Sequence, residues 1–127
     1  MLYRLRAYQN ELVILGVNPK VLRYDGTIFT DGNAASSITR FYSGLDDLDL
    51  LPWNVIFGNP YWYKHEDGKR ILCAEVLVPN QIEPYDIDRI ICNNKLLFDN
   101  ICNAITYSTL EEVNEELEIQ IDRRFFF

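Results

Sequence analysis

One histidine and three cysteines are found among the 127 residues, and none of them stands at metal-ligand spacing. A structural zinc site needs paired Cys or His ligands, so no metal is expected. Cys73, Cys92 and Cys102 are odd in number, and two of them lie in apolar segments. That usage predicts buried, reduced thiols and a cytoplasmic setting. Basic residues are the minority: 12 Lys and Arg against 19 Asp and Glu leave a net charge of −7. Such a balance argues against a non-specific duplex binder, whose affinity comes from neutralising many phosphates. It leaves room for a narrow groove that holds single strand through local basic and aromatic groups. No apolar run reaches the roughly 18 residues of a membrane-spanning helix, so no membrane partner is expected. The opening Met1-Leu2-Tyr3-Arg4-Leu5-Arg6 lacks the basic, apolar and small-residue order of a signal peptide.

Hydrophobic residues make up 48% of the chain and aromatics 13%, which predicts a globular fold rather than disorder. The length suits a single domain over 1–127. The stretch Lys69-Arg70-Ile71-Leu72-Cys73-Ala74-Glu75-Val76-Leu77-Val78-Pro79 reads as a central β-strand closed by a proline. Ile71, Cys73, Glu75 and Leu77 then share one face. Glu75 is the anomaly, because an ionised carboxylate among apolar neighbours is costly unless it is paired or opens into a polar cleft. Two readings stay open: a carboxylate paired with an arginine such as Arg40 or Arg70 or lying at a wet sheet edge, or one held at a cleft for chemistry.

The rest of the chain reads as a series of short elements. Leu2–Tyr8 and Leu12–Val17 are expected to form a hairpin. Asn18-Pro19 starts a helical turn through Leu22, and Thr27–Thr30 is a short strand. Asp31 or Asn33 is expected to cap a short helix over Ala34–Tyr42. From Ser43 to Asp67 regular structure is hard to place, and long loops of this kind are usually functional. Trp53 looks like its anchor, while Tyr61-Trp62-Tyr63 offers a surface on which bases can stack. His65 reads as a solvated turn residue. Ile87–Cys92 is a strand, Asn93-Asn94 caps a helix of about a dozen residues, and Leu117–Asp122 alternates as a final half-buried strand. The expected class is α+β: short, mostly antiparallel strands, one main helix and one long loop.

Several blocks carry a resemblance. Phe29-Thr30-Asp31-Gly32-Asn33-Ala34-Ala35, Arg40-Phe41-Tyr42, Leu50-Leu51-Pro52-Trp53, Lys69-Arg70 and Ala74-Glu75-Val76-Leu77-Val78-Pro79 resemble the DarT family in order and approximate spacing. Members of that family are toxins that transfer ADP-ribose from NAD to a base in single-stranded DNA. The resemblance covers essentially the whole chain, and it corresponds to the C-terminal part of a DarT domain. The N-terminal part, with NAD-binding residues, is expected to be absent. The resemblance implies an ADP-ribosyltransferase-like fold with the Ser43–Asp67 loop recognising substrate.

If the chain is active, Glu75 is the expected catalytic residue, because the reaction builds positive charge on a ribose and a fixed carboxylate stabilises it. Glu75 can also take the proton of the attacking base. Arg40, Tyr61, Trp62, Tyr63, Lys69 and Arg70 are the candidates for holding an unpaired base and its flanking phosphates, and Asn33 and Ser36 for contacts to NAD. The expected partners are single-stranded DNA and an antitoxin or complementing chain. Two alternatives remain: a shortened relative that binds nucleotide or single-stranded DNA without turnover, and a protein that occupies a partner.

Overall fold

The computed structural model describes residues 7–57, 61–107 and 116–126. Its residues gather into two compact units. One comprises Met1–Pro19 with Ile82–Phe127, and the other is Lys20–Gln81. The class is α+β, and among the described residues three of the four strand pairings are antiparallel.

In the first unit, β1 (Ile14–Val17) pairs antiparallel with β5 (Ile87–Cys92), and β5 pairs parallel with β6 (Glu118–Ile121). The main helix α3 (Lys95–Tyr107) connects β5 to β6 and lies against both. Asn94 starts it, as its spacing predicts: the side-chain Oδ1 accepts from the amide of Leu97 (2.8 Å), which satisfies one of the orphan donors of the first turn. Ile91 and Cys92 are buried beneath the helix end of β5, and burial pushes the Cys92 thiol up. The chain enters β5 through a 3-10 turn, Pro84–Asp86, with reciprocal Glu83 and Asp86 capping. There the carbonyl of the fully buried Asp86 accepts from the amide of Asn18 (2.7 Å). Residues 1–6 of the predicted hairpin lie outside the described residues, and among the described residues β1 pairs with β5.

The second unit holds a small antiparallel sheet in the order β3-β2-β4, made of β2 (Ile28–Thr30), β3 (Phe41–Tyr42) and β4 (Val76–Leu77). Its core is Val21, Phe29, Leu51, Val55 and Ile71, with Phe29 stacked on Tyr42 at 5.6 Å between ring centroids. The segment that resisted placement is built of short helical turns: 3-10 turns at Leu45–Leu50 and Trp62–Lys64, and α1 (Trp53–Ile56), followed by α2 (Gly68–Ile71).

Two sequence expectations are corrected here. The helix over Ala34–Tyr42 does not form. Asn33 Oδ1 accepts from the amide of Ala35 (2.9 Å) and the Thr39 hydroxyl donates to the carbonyl of Asn33 (2.6 Å), so side chains capture the groups a helix would use. The strand over Lys69–Pro79 is largely a helix and a turn. Gly68 opens α2, where a Cβ would collide with the carbonyl of Trp62, and only Val76 and Leu77 extend. The central strand of this sheet is β2, and β4 is an exposed edge. Glu75 precedes β4 and is exposed, so the burial cost expected for it does not arise.

Candidate active site

The site lies within the second unit, at the end of β2. Thr30 is 1% exposed, and its hydroxyl donates to the carbonyl of Gly32 (2.6 Å) and accepts from the amide of Glu75 (3.0 Å). The amide of Thr30 in turn donates to the carbonyl of Glu75 (3.0 Å). A threonine fits here because one small β-branched side chain fills the strand position and still offers a hydroxyl that both donates and accepts. Residue 75 is thereby fixed against β2 on both of its backbone groups. The side chain is fixed as well: Glu75 Oε1 accepts from the amide of Ala34 (2.9 Å). Among the described residues its second carboxylate oxygen has no hydrogen-bond partner.

The turn that supplies the Ala34 amide is held by Arg70. Its Nη1 donates to Asp31 Oδ1 (2.6 Å) and to the Thr39 hydroxyl (3.1 Å), and its Nε donates to Asp67 Oδ2 (2.6 Å). The Arg70 carbonyl accepts from the amide of Asn33 (3.0 Å). Gly32 is required beside it, since a Cβ there would strike the guanidinium. Asp31 Oδ1 also accepts from the amide of Arg40 (3.0 Å). Burial pushes the Asp31 carboxyl up, but the Arg40 amide and the Arg70 guanidinium outweigh it and hold the group below the usual carboxylate range. Burial likewise works against the Arg70 charge, and Asp31 and Asp67 overcome it.

Beside this turn lies an open cleft of about 360 Å³ lined by Asn33, Ser36, Glu66, Asp67, Lys69, Arg70 and Cys73. Asn33, Ser36, Lys69 and Arg70 thus border one cleft, with Glu75 bonded to the residue that follows Asn33. Arg40 is exposed next to Asp31. Tyr61, Trp62 and Tyr63 form an exposed group of edge-on rings, with Lys64 Nζ 4.6 Å from the Tyr61 centroid. Trp53 is only partly an anchor. Its Nε1 donates to the carbonyl of Leu48 (2.8 Å), but it stays 40% exposed and stacks on Phe57.

Arg70 stands apart from the other candidates for DNA. Its side chain is 13% exposed and tied to two carboxylates, so a phosphate would have to compete with ion pairs already made. Sequence reasoning passed over Asp31, Thr39 and Asp67 as members of the site. The available signal was Asp31 beside Gly32, and the sequence reading gives Asp31 only as a candidate helix cap.

Among the described residues there is no group of His, Cys, Asp and Glu that could hold a metal ion, and no helix is long and apolar enough to cross a membrane.

The family model "ssDNA thymidine ADP-ribosyltransferase, DarT" matches residues 1–127. A DNA ADP-ribosyl transferase–DNA ADP-ribosyl glycohydrolase fusion protein of Thermosipho africanus is 30% identical over the whole chain, which spans 32% of that relative. The chain therefore covers about a third of the length of this curated relative. Among solved structures, Thermus sp. 2.9 DarT in complex with NAD+ superposes with a TM-score of 0.85 at 18% identity, over 99% of this chain and 66% of that one. The same protein in complex with ADP-ribosylated ssDNA gives the same score over 63% of its chain. Thermosipho africanus DarTG in complex with ADP-ribose matches with a TM-score of 0.76 at 30% identity, over 100% of this chain and 33% of that one.

Proposed function

This chain belongs to the DarT family, and from that premise we propose that it is an ADP-ribosyltransferase that moves ADP-ribose from NAD to a thymine of single-stranded DNA. The observation that carries the reading is the Glu75 carboxylate, fixed by the Ala34 amide beside the cleft wall made by Asn33 and Ser36. The relatives whose structures hold NAD+ and ADP-ribosylated ssDNA support it.

NAD supplies an electrophilic ribose carbon, C1′, whose bond to nicotinamide breaks as nicotinamide leaves with the electron pair. Positive charge then develops on that ribose, and a fixed carboxylate stabilises it without having to reorganise. Glu75 is the group of this chain suited to that role. Its orientation is set before substrate arrives, and the oxygen that has no partner among the described residues is available to a ribose hydroxyl or to the attacking base. Thymine in DNA carries a single N–H, at N3. A bond from N3 to C1′ forms as that proton passes to Glu75, which acts as general base. N3 lies on the pairing edge and is blocked in a duplex, so an unpaired base is the substrate.

The Tyr61, Trp62 and Tyr63 rings would stack on bases, and Arg40 and Lys69 would take flanking phosphates. A cleft of about 360 Å³ suits the nicotinamide end of NAD held near Asn33 and Ser36, rather than the whole dinucleotide. A toxin role in a toxin–antitoxin pair, an antitoxin partner and a cytoplasmic location complete the proposal.

The test is mass spectrometry of thymine-containing single-stranded oligonucleotides incubated with the chain and NAD. The expected product is one ADP-ribose per oligonucleotide, absent with Glu75→Ala. A folded chain that binds the oligonucleotide and leaves no adduct would support a binding module instead.

A further inference from the structure

Resting on that reading of Glu75, we infer that Arg70 serves the reaction as a positioning residue, by holding the turn whose Ala34 amide aims the Glu75 carboxylate. Three routes run from Arg70 into this turn. The guanidinium holds Asp31 by Nη1 and packs on Gly32. The backbone carbonyl holds the amide of Asn33. The Thr39 hydroxyl accepts from Nη1 and donates to the carbonyl of Asn33, closing a ring of bonds around the turn. The next amide along the chain, Ala34, is the one bonded to Glu75. Asp67 holds the far side of the guanidinium through Nε, so Arg70 is clamped between α2's entry and the turn.

An arginine fits because its planar fork can meet two carboxylates and a hydroxyl at fixed angles, which a lysine's single ammonium cannot. The carboxylates in turn keep the cation from serving as a mobile phosphate ligand. Arg70 and Lys69 are adjacent in sequence and both border the cleft, yet their work differs. Lys69 is exposed and able to meet DNA, while Arg70 shapes the ground on which Glu75 stands.

The experiment compares wild type, Arg70→Lys, Thr39→Val and Lys69→Ala, with Glu75→Gln as reference. The first readout is the amide resonance of Ala34 in a 1H–15N NMR pH titration. In the wild type this resonance follows ionisation of the Glu75 carboxyl, and in Glu75→Gln it does not. With Arg70→Lys the response shrinks or vanishes while the rest of the spectrum keeps its dispersion. Thr39→Val, which removes one bond of the ring and leaves no charge unpaired, gives a smaller loss of the same kind.

The second readout is affinity for a fluorescent single-stranded oligonucleotide across a salt series. Arg70→Lys stays within twofold of wild type with an unchanged salt slope, whereas Lys69→Ala weakens binding and flattens the slope. Where adduct formation is measurable, Arg70→Lys lowers the rate at saturating DNA about tenfold or more without raising the DNA concentration needed for half-saturation. An Ala34 resonance that still titrates normally in both Arg70→Lys and Thr39→Val overturns the inference, as does a loss of DNA affinity in Arg70→Lys equal to that of Lys69→Ala. Failure of the transferase reading shows separately, as no adduct from a wild type whose Ala34 resonance titrates as described.

Discussion

The turn at Asp31–Arg40 and the aromatic segment at Trp53–Lys64 sit in the same unit and are built on opposite principles. In the turn, a few polar side chains are tied together: Asp31, Asn33 and Thr39 each make more than one bond, and Arg70 binds three side chains. In the aromatic segment large rings face solvent, Phe57 at 81% exposure and Tyr63 at 62%. Those rings are held by one another and by a few bonds to the backbone. Satisfied polar networks resist movement, whereas exposed rings on short helical turns adapt to what they meet. The difference teaches where each task belongs: aim is set by the turn, and grip by the rings.

Breaking the turn is expected to have the largest effect. Asp31→Ala strips Arg70 of one carboxylate and leaves the Arg40 amide without its acceptor. Removing one partner of a buried pair costs about 3 to 5 kcal/mol. Asp67 remains to hold Arg70 and both charges keep some contact with water, so the expected loss is about 2 to 3 kcal/mol. That corresponds to a fall in Tm of roughly 10 °C, readable by thermal unfolding. An unchanged Tm would mean that the turn is not braced as described.

Breaking the rings is expected to leave stability alone. Tyr63→Ala should weaken single-stranded DNA binding about tenfold, within the roughly 1 to 3 kcal/mol of one base stacked on an aromatic. Its Tm should stay close to that of wild type, as for other exposed substitutions. A stability loss without an affinity loss would reverse the division of labour between the two regions.

The mildest probe is acid. The Asp31 carboxyl titrates below its ordinary value in the folded state, so its contribution is present above the unfolded value of about 3.9. It is lost as pH falls through the lower folded value. The Tm gap between wild type and Asp31→Asn should therefore be full near pH 6 and narrow below about pH 4. A gap that widens in acid would show that the group is not held as a carboxylate.

Legibility in the sequence followed the range of the determining interaction. The strand Ile87–Cys92 and the helix behind Asn94 were legible because the β-branched residues Ile87, Ile90 and Ile91, a cap and a helical period are local signals. Glu75 was legible from the blocks around it, but its setting was not. The run from Ile71 to Val78 fits a strand on composition, whereas Ile71 closes a helical turn that opens at Gly68 in close approach to the Trp62 carbonyl. The fate of Arg70 was also out of reach. Whether an arginine meets solvent or two aspartates depends on Asp31, distant in the chain, and on the bare backbone of Gly32 that lets the guanidinium lie there.

The meeting of Asn18 with Asp86 bears on how quickly the chain finds its fold. Everything from Lys20 to Gln81 must be folded away before β1 reaches β5, whereas β5, α3 and β6 follow one another directly. An unstructured loop of that length closes against chain entropy, but one already collapsed into its own unit has far fewer arrangements left to lose. Among the described residues β1 is an edge of its sheet, and it is thus the natural last piece to arrive; destabilising the inserted unit will slow that arrival.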